Sequence, residues 1–93
     1  MWEVWEHGRV DRQLGRLPSD VLRQYEKWKD IVTISGPEGL WPIRGFHNES
    51  LKGQWKEHRS SRLSEQYRVL YGVDGERLVV EVVSVTVHDD RRK

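Results

Sequence analysis

Between Glu49 and Tyr71 the chain reads ESLKGQWKEHRSSRLSEQYRVLY, with basic residues at spacings that can gather them on one surface. A short turn at Ser64–Gln66 with antiparallel pairing on either side sets Arg62 opposite Arg68 and Leu63 opposite Tyr67. Side chains along a strand alternate between faces. Lys56, His58, Arg62 and Arg68 then share one face, and Leu63, Tyr67, Val69 and Tyr71 share the other. The second set is apolar enough to bury. The first is a strip of cations, and the chemistry open to such a strip is the binding of an anion.

The same bias reaches into the preceding loop. From Trp41 to Arg62 the bases Arg44, Lys52, Lys56, Arg59 and Arg62 face only the acids Glu49 and Glu57, with His47 and His58 in the same window. The whole chain carries a formal charge of +1, so the excess is local. An ordinary solvated surface has a similar composition. The placing of cations on one strand face is what favours an anionic ligand.

The elements that must hold this strip can be read in order. Trp2–Glu6 alternates as a short strand does. Val10, Leu14 and Leu17 recur at one helical face, and Pro18, Ser19 and Asp20 signal the start of a second helix. The apolar stripe of that helix is Val21, Leu22, Tyr25, Trp28, Ile31 and Val32, and Gly36-Pro37-Glu38-Gly39 ends it. Leu40 to Gly53 reads as a loop that packs on the domain through Trp41 and Phe46. Strands are expected at about Lys56–Leu63, Tyr67–Val73 and Arg77–His88, with Asp74-Gly75 turning between the last two. In the last strand Val79, Val83, Val85 and Val87 share one parity, with Glu81 an exception near the sheet rim. Leu78, Val80, Val82, Ser84, Thr86 and His88 share the other, so the strand is apolar on both faces, as a central strand is. The resulting order β-α-α-β-β-β is an α+β fold, a twisted, largely antiparallel sheet with a helical hairpin on one face. The uncovered face carries Lys56, His58, Arg62, Arg68 and, at its far end, His88.

Ninety-three residues make one domain, 1–93, with a single modest core. Hydrophobic residues are 35% of the chain and charged residues 33%, so five Trp must supply much of the buried area. There is no Cys, which excludes disulfides and thiolate metal sites and is compatible with a reducing compartment. No apolar run is long enough for a membrane span, and MWEVWEHGR lacks the layout of a signal peptide. The expectation is a soluble cytoplasmic protein.

The order of elements, the Leu51-Lys52-Gly53 loop, the Tyr67-Arg68-Val69-Leu70-Tyr71 strand and a last strand ending Val83-Ser84-Val85 resemble the RelE/ParE superfamily of bacterial type II toxins. Locally the likeness is to the YoeB branch, through Arg62-Leu63-Ser64-Glu65-Gln66-Tyr67-Arg68 and an acid three residues before Lys52. The resemblance implies a RelE-like fold and, for RelE, YoeB and HigB types, a ribosome-dependent endoribonuclease that cuts messenger RNA in the 30S A site. It implies a cognate antitoxin that holds the toxin inactive in a hetero-oligomer. ParE-type members share the fold and poison DNA gyrase, and a binding module without chemistry is a further alternative.

By position, the resemblance implies Glu49 as catalytic acid residue, Arg62 as catalytic arginine, His88 as terminal-strand histidine and Arg68 as a phosphate-associated arginine. Transesterification of RNA needs a base for the 2′-hydroxyl, an acid for the departing 5′-oxygen and cations around the phosphorane charge. Glu49 suits the base, His88 the acid, and Arg62 with Arg68 the phosphate clamp. No cofactor or metal is required. Lys52, Lys56, His58, Arg59 and His47 are candidate RNA contacts, and Trp55, Trp41 and Phe46 candidate base-stacking groups. Each has a duller role open to it. Glu49 suits a loop or helix cap, Arg62 a surface pair with Glu65 or Glu57, Arg68 a bridge between strands, and His88 an ordinary strand end. Asp89 and Asp90 follow His88 where several nuclease members place an aromatic residue. They favour a protonated imidazole and repel RNA.

Overall fold

The computed structural model describes residues 1–51 and 58–87. In chain order they form β1 (Glu3–Glu6), α1 (Gly8–Leu14), α2 (Ser19–Ser35), two 3-10 turns (Pro37–Leu40 and Arg44–Phe46), β2 (Glu49–Ser50), β3 (His58–Arg62), β4 (Tyr67–Asp74) and β5 (Val79–Val87). The strands form one sheet in the order β1-β5-β4-β3-β2, with β1 parallel to β5 and the other pairs antiparallel. The expected α+β architecture is thus observed, with the two-residue edge strand β2 added inside the segment expected to be a loop.

The helices cover one face. Val21, Tyr25, Trp28 and Val32 of α2 are buried at helical spacing, while Ile34 is 73% exposed near the end of α2. Trp28 is the keystone: its ring stacks on Tyr25 at 5.8 Å, meets Tyr71 edge-on at 5.2 Å, and its Nε1–H donates to Ser61 Oγ at 3.0 Å. α2 stops at Gly36, whose φ of 75° suits glycine and whose N–H donates to Val32 O. A Cβ there would lie 2.6 Å from Trp2 Nε1, so Gly36 also seats the Trp2 ring. The first helix is shorter than its pattern, ending at Leu14, with Leu17 still packed against the core from the following turn.

β5 departs from simple alternation. Leu70 pairs with Ser84 but Tyr71 pairs with Val82, so Val83 is the extra residue of a β-bulge. The bulge shifts the phase. Val80 and Val82 lie on the helix-covered face with Val85, whereas Glu81 lies on the open face with Ser84 and Thr86. Glu81 is therefore no exception at a rim; two alternating patterns meet at the bulge. Beyond the end of β1, Gln13 Oε1 of α1 accepts the Val85 N–H at 2.7 Å. The strand also begins later than expected. Residues 75–78 form the turn, where Asp74 Oδ1 accepts from the N–H groups of Glu76 and Arg77, and Leu78 takes φ 55°.

Candidate active site on the open sheet face

Directly paired residues project to the same side of a sheet, so the register lays the open face out in rows. One row is Arg62, Arg68 and Thr86; the next is Glu49, Ser60, Leu70 and Ser84; the next is His58, Gly72, Glu81 and Trp5. The expected pairing of Arg62 with Arg68 is observed, as is the apolar set opposite, with Leu63, Val69 and Tyr71 buried and Tyr67 packed against them.

Arg68 is the centre of the first two rows. Its Nη2 donates to Glu49 Oε2 at 2.8 Å and to Ser60 Oγ at 3.0 Å, and its Nε reaches the same hydroxyl at 3.3 Å. The Arg68 side chain is 12% exposed and that of Glu49 51%, so the guanidinium is held and the carboxylate faces solvent. His47 Nε2 lies 3.8 Å from Glu49 Oε2. His47 caps the second 3-10 turn with φ 43°, an unusual conformation for a residue other than glycine. Arg62 differs from Arg68. Its Nε is shielded from solvent and has no hydrogen-bond partner among the described residues, and no pair with Glu65 forms there. An anion above the sheet would meet the Arg68 guanidinium already oriented, with the Arg62 side chain beside it in the same row.

Asn48 fixes the segment that delivers His47 and Glu49. With its amide oxygen toward Trp41 Nε1 (3.1 Å) and Arg59 Nε (3.3 Å), its nitrogen donates to Ser61 Oγ (2.7 Å) and Tyr71 Oη (2.5 Å). This orientation satisfies donors and acceptors together, tying the loop to β3, β4 and, through Ser61, to Trp28 of α2.

The remaining candidates divide. His58 lies on the open face, its ring across Gly72, where a Cβ would stand 3.3 Å from His58 Nε2. Arg59 does not join the strip. It pairs with Tyr71 on the opposite parity, its Nη1 donates to Ser50 Oγ at 2.7 Å, and its guanidinium lies 5.8 Å from the Trp41 ring centre. Phe46 is wholly buried and unavailable for stacking, whereas Trp41 is 56% exposed. Lys52, Lys56, Trp55 and His88 lie outside the described residues. Neither Ser60 nor Asn48 is among the candidate residues that the sequence motifs pick out. Ser60 is two residues before Arg62 on the same face, which strand alternation alone would have shown.

Chains of known structure share this fold. The isolated RelE toxin of E. coli is 26% identical, covering all of this chain and 88% of its own, with a TM-score of 0.67. RelE in the RelE–RelB complex of Pyrococcus horikoshii OT3 is 24% identical over 98% of both chains, with a TM-score of 0.75. The YoeB–YefM complex of Staphylococcus aureus gives 15% identity over 96% of this chain and 99% of the matched one, with a TM-score of 0.74. No protein-family model and no curated protein sequence matches the chain. The fold is that of the RelE/ParE-type toxins.

Proposed function

We propose that this chain is the toxin of a type II toxin–antitoxin pair and acts as a metal-independent endoribonuclease on ribosome-bound messenger RNA in the cytoplasm. The observation that carries the reading is the cluster of Arg62, Arg68, Ser60 and Glu49 on the uncovered sheet face. The RelE and YoeB neighbours, some solved with their RelB or YefM antitoxins, support the toxin role and an antitoxin partner. Among the described residues no helix is long and apolar enough to cross a membrane.

Arg62 and Arg68 bind the scissile phosphate, Arg68 entering as a guanidinium whose plane Ser60 and Glu49 already set. Glu49, open to solvent, takes the proton of the 2′-hydroxyl. The 2′-oxygen bonds to phosphorus, the bond to the 5′-oxygen breaks, and a 2′,3′-cyclic phosphate remains. The two arginines offset the charge that gathers on the phosphoryl oxygens. The sequence reading gives His88 the task of protonating the departing 5′-oxygen.

Induced expression in a bacterial host is expected to arrest growth, with relief on co-expression of the antitoxin and in Arg62→Ala. Full toxicity of both Arg62→Ala and His88→Ala would refute the site. Inhibited supercoiling with intact messenger RNA would place the chain with the gyrase poisons instead.

A further inference from the structure

Two rows along the open face from Arg68, a hollow of about 260 Å³ opens between β1 and β3. Trp5, His58, Gly72, Asp74, Arg77 and Glu81 line it. Trp5 is 44% exposed although it stands on a strand, and its indole is held in place. Its Nε1–H donates to Glu3 Oε1 at 2.9 Å, and the Arg77 guanidinium lies 4.9 Å from its ring centre. A large aromatic group kept exposed and oriented by its neighbours offers a stacking surface.

We propose that this hollow is a nucleobase subsite, one that takes a base of the same RNA strand whose phosphate rests on Arg62 and Arg68. The proposal rests on the nuclease reading for its ligand and adds where that ligand's base is held. Charge complementarity selects the part of the nucleotide. The arginine row suits phosphate, while the carboxylates of Asp74 and Glu81 in the hollow repel it. An ionic ligand gains little there, because Arg77 Nε lies 4.0 Å from Asp74 Oδ2 and His7 Nε2 lies 3.1 Å from Glu81 Oε2. What remains is a flat surface beside carboxylate acceptors. That combination fits a neutral ring with N–H donors on its edge. Guanine offers two adjacent donors, and uracil lacks the exocyclic amine. Gly72 contributes by absence, since it lets the His58 ring lie across β4 and form the floor. The distance fits one strand: four residues of β4 separate Gly72 from Arg68, about 13 Å at about 3.3 Å per residue, which an extended RNA crosses in a few nucleotides.

The test uses two short 2′-O-methyl oligonucleotides, which lack the attacking hydroxyl, one rich in guanosine and one of uridine only. Binding is followed by the ¹⁵N–¹H resonances of the Trp5 indole, identified by its loss in Trp5→Phe, and of Arg68 Nε. The guanosine oligomer is expected to shift both resonances, with the uridine oligomer shifting Trp5 less. Trp5→Ala is expected to weaken the guanosine oligomer by roughly tenfold. A shift at Arg68 with Trp5 unmoved overturns the subsite and leaves the nuclease reading standing. No shift at either residue overturns the subsite together with binding of a free RNA strand to this face, and equal Trp5 shifts from the two oligomers overturn the base selection.

Discussion

Arg68 and Glu49, nineteen residues apart in sequence, meet at 2.8 Å over Ser60 on the face that the helices leave bare. The contact joins two residues for which we propose different roles, Arg68 as phosphate clamp and Glu49 as proton acceptor. It also gives Arg68 a bridging task, because one guanidinium links β4 to Ser60 of β3 and to Glu49 of β2.

Arg68→Lys tests that double duty. An ammonium keeps the charge but cannot present the planar fork to phosphate while holding both Ser60 and Glu49. Cleavage is expected to fall about 100-fold, the scale for losing one aimed donor at a developing oxyanion. The thermal midpoint should move little, since a pair with a half-exposed partner is worth about 1 kcal/mol or less. Single-turnover cleavage beside thermal denaturation checks both; a collapsed midpoint with unchanged cleavage would make Arg68 purely structural.

Asn48→Leu tests the support beneath the site. The substitution is close to isosteric but leaves the Trp41 and Arg59 donors and the Ser61 and Tyr71 hydroxyls without their common partner. A loss of about 1–3 kcal/mol is expected from such unsatisfied groups. Hydrogen exchange should rise in residues 46–51 before it rises in β4. Uniform exchange across the sheet would contradict a local role.

Tyr25 supplies a pH dependence. Burial chiefly, then the hydrogen bond to Glu6 and its negative charge, push the phenol well above its ordinary value. A group whose pKa is raised on folding contributes stability that is complete below its unfolded pKa and is lost as pH rises. The expected window therefore begins near pH 10, the ordinary value for tyrosine. Denaturant midpoints measured across the alkaline range should fall in the wild type and fall less steeply in Tyr25→Phe. Parallel curves for the two would contradict the assignment.

Much of this site could be read before any coordinates, for reasons that lie in strand periodicity. A period-two pattern with a short turn leaves few registers, and a slip of one residue would have put Leu63 and Val69 in water. The Arg62–Arg68 pairing followed from that constraint. The bulge at Val83 did not, because Val82 and Val83 are both apolar and both buried, so the phase change leaves no mark in composition. β2 is two residues long and shows no alternation. Its place at the edge is set by pairing to β3 and by the Asn48 hub, both of them long-range. Arg59 was drawn into the basic window by composition, although its odd offset from Arg62 already assigned it to the other face.

The most direct test of the central claim is the chemistry of the RNA ends. After brief induction in a bacterial host, translated transcripts are recovered and their 5′ and 3′ termini mapped, for the wild type and for Arg62→Ala. Acid–base transesterification on the open face predicts new 5′-hydroxyl ends paired with 2′,3′-cyclic or 3′-phosphate ends, strongly reduced in the variant. Intact transcripts during growth arrest, or cuts undiminished in Arg62→Ala, would contradict it.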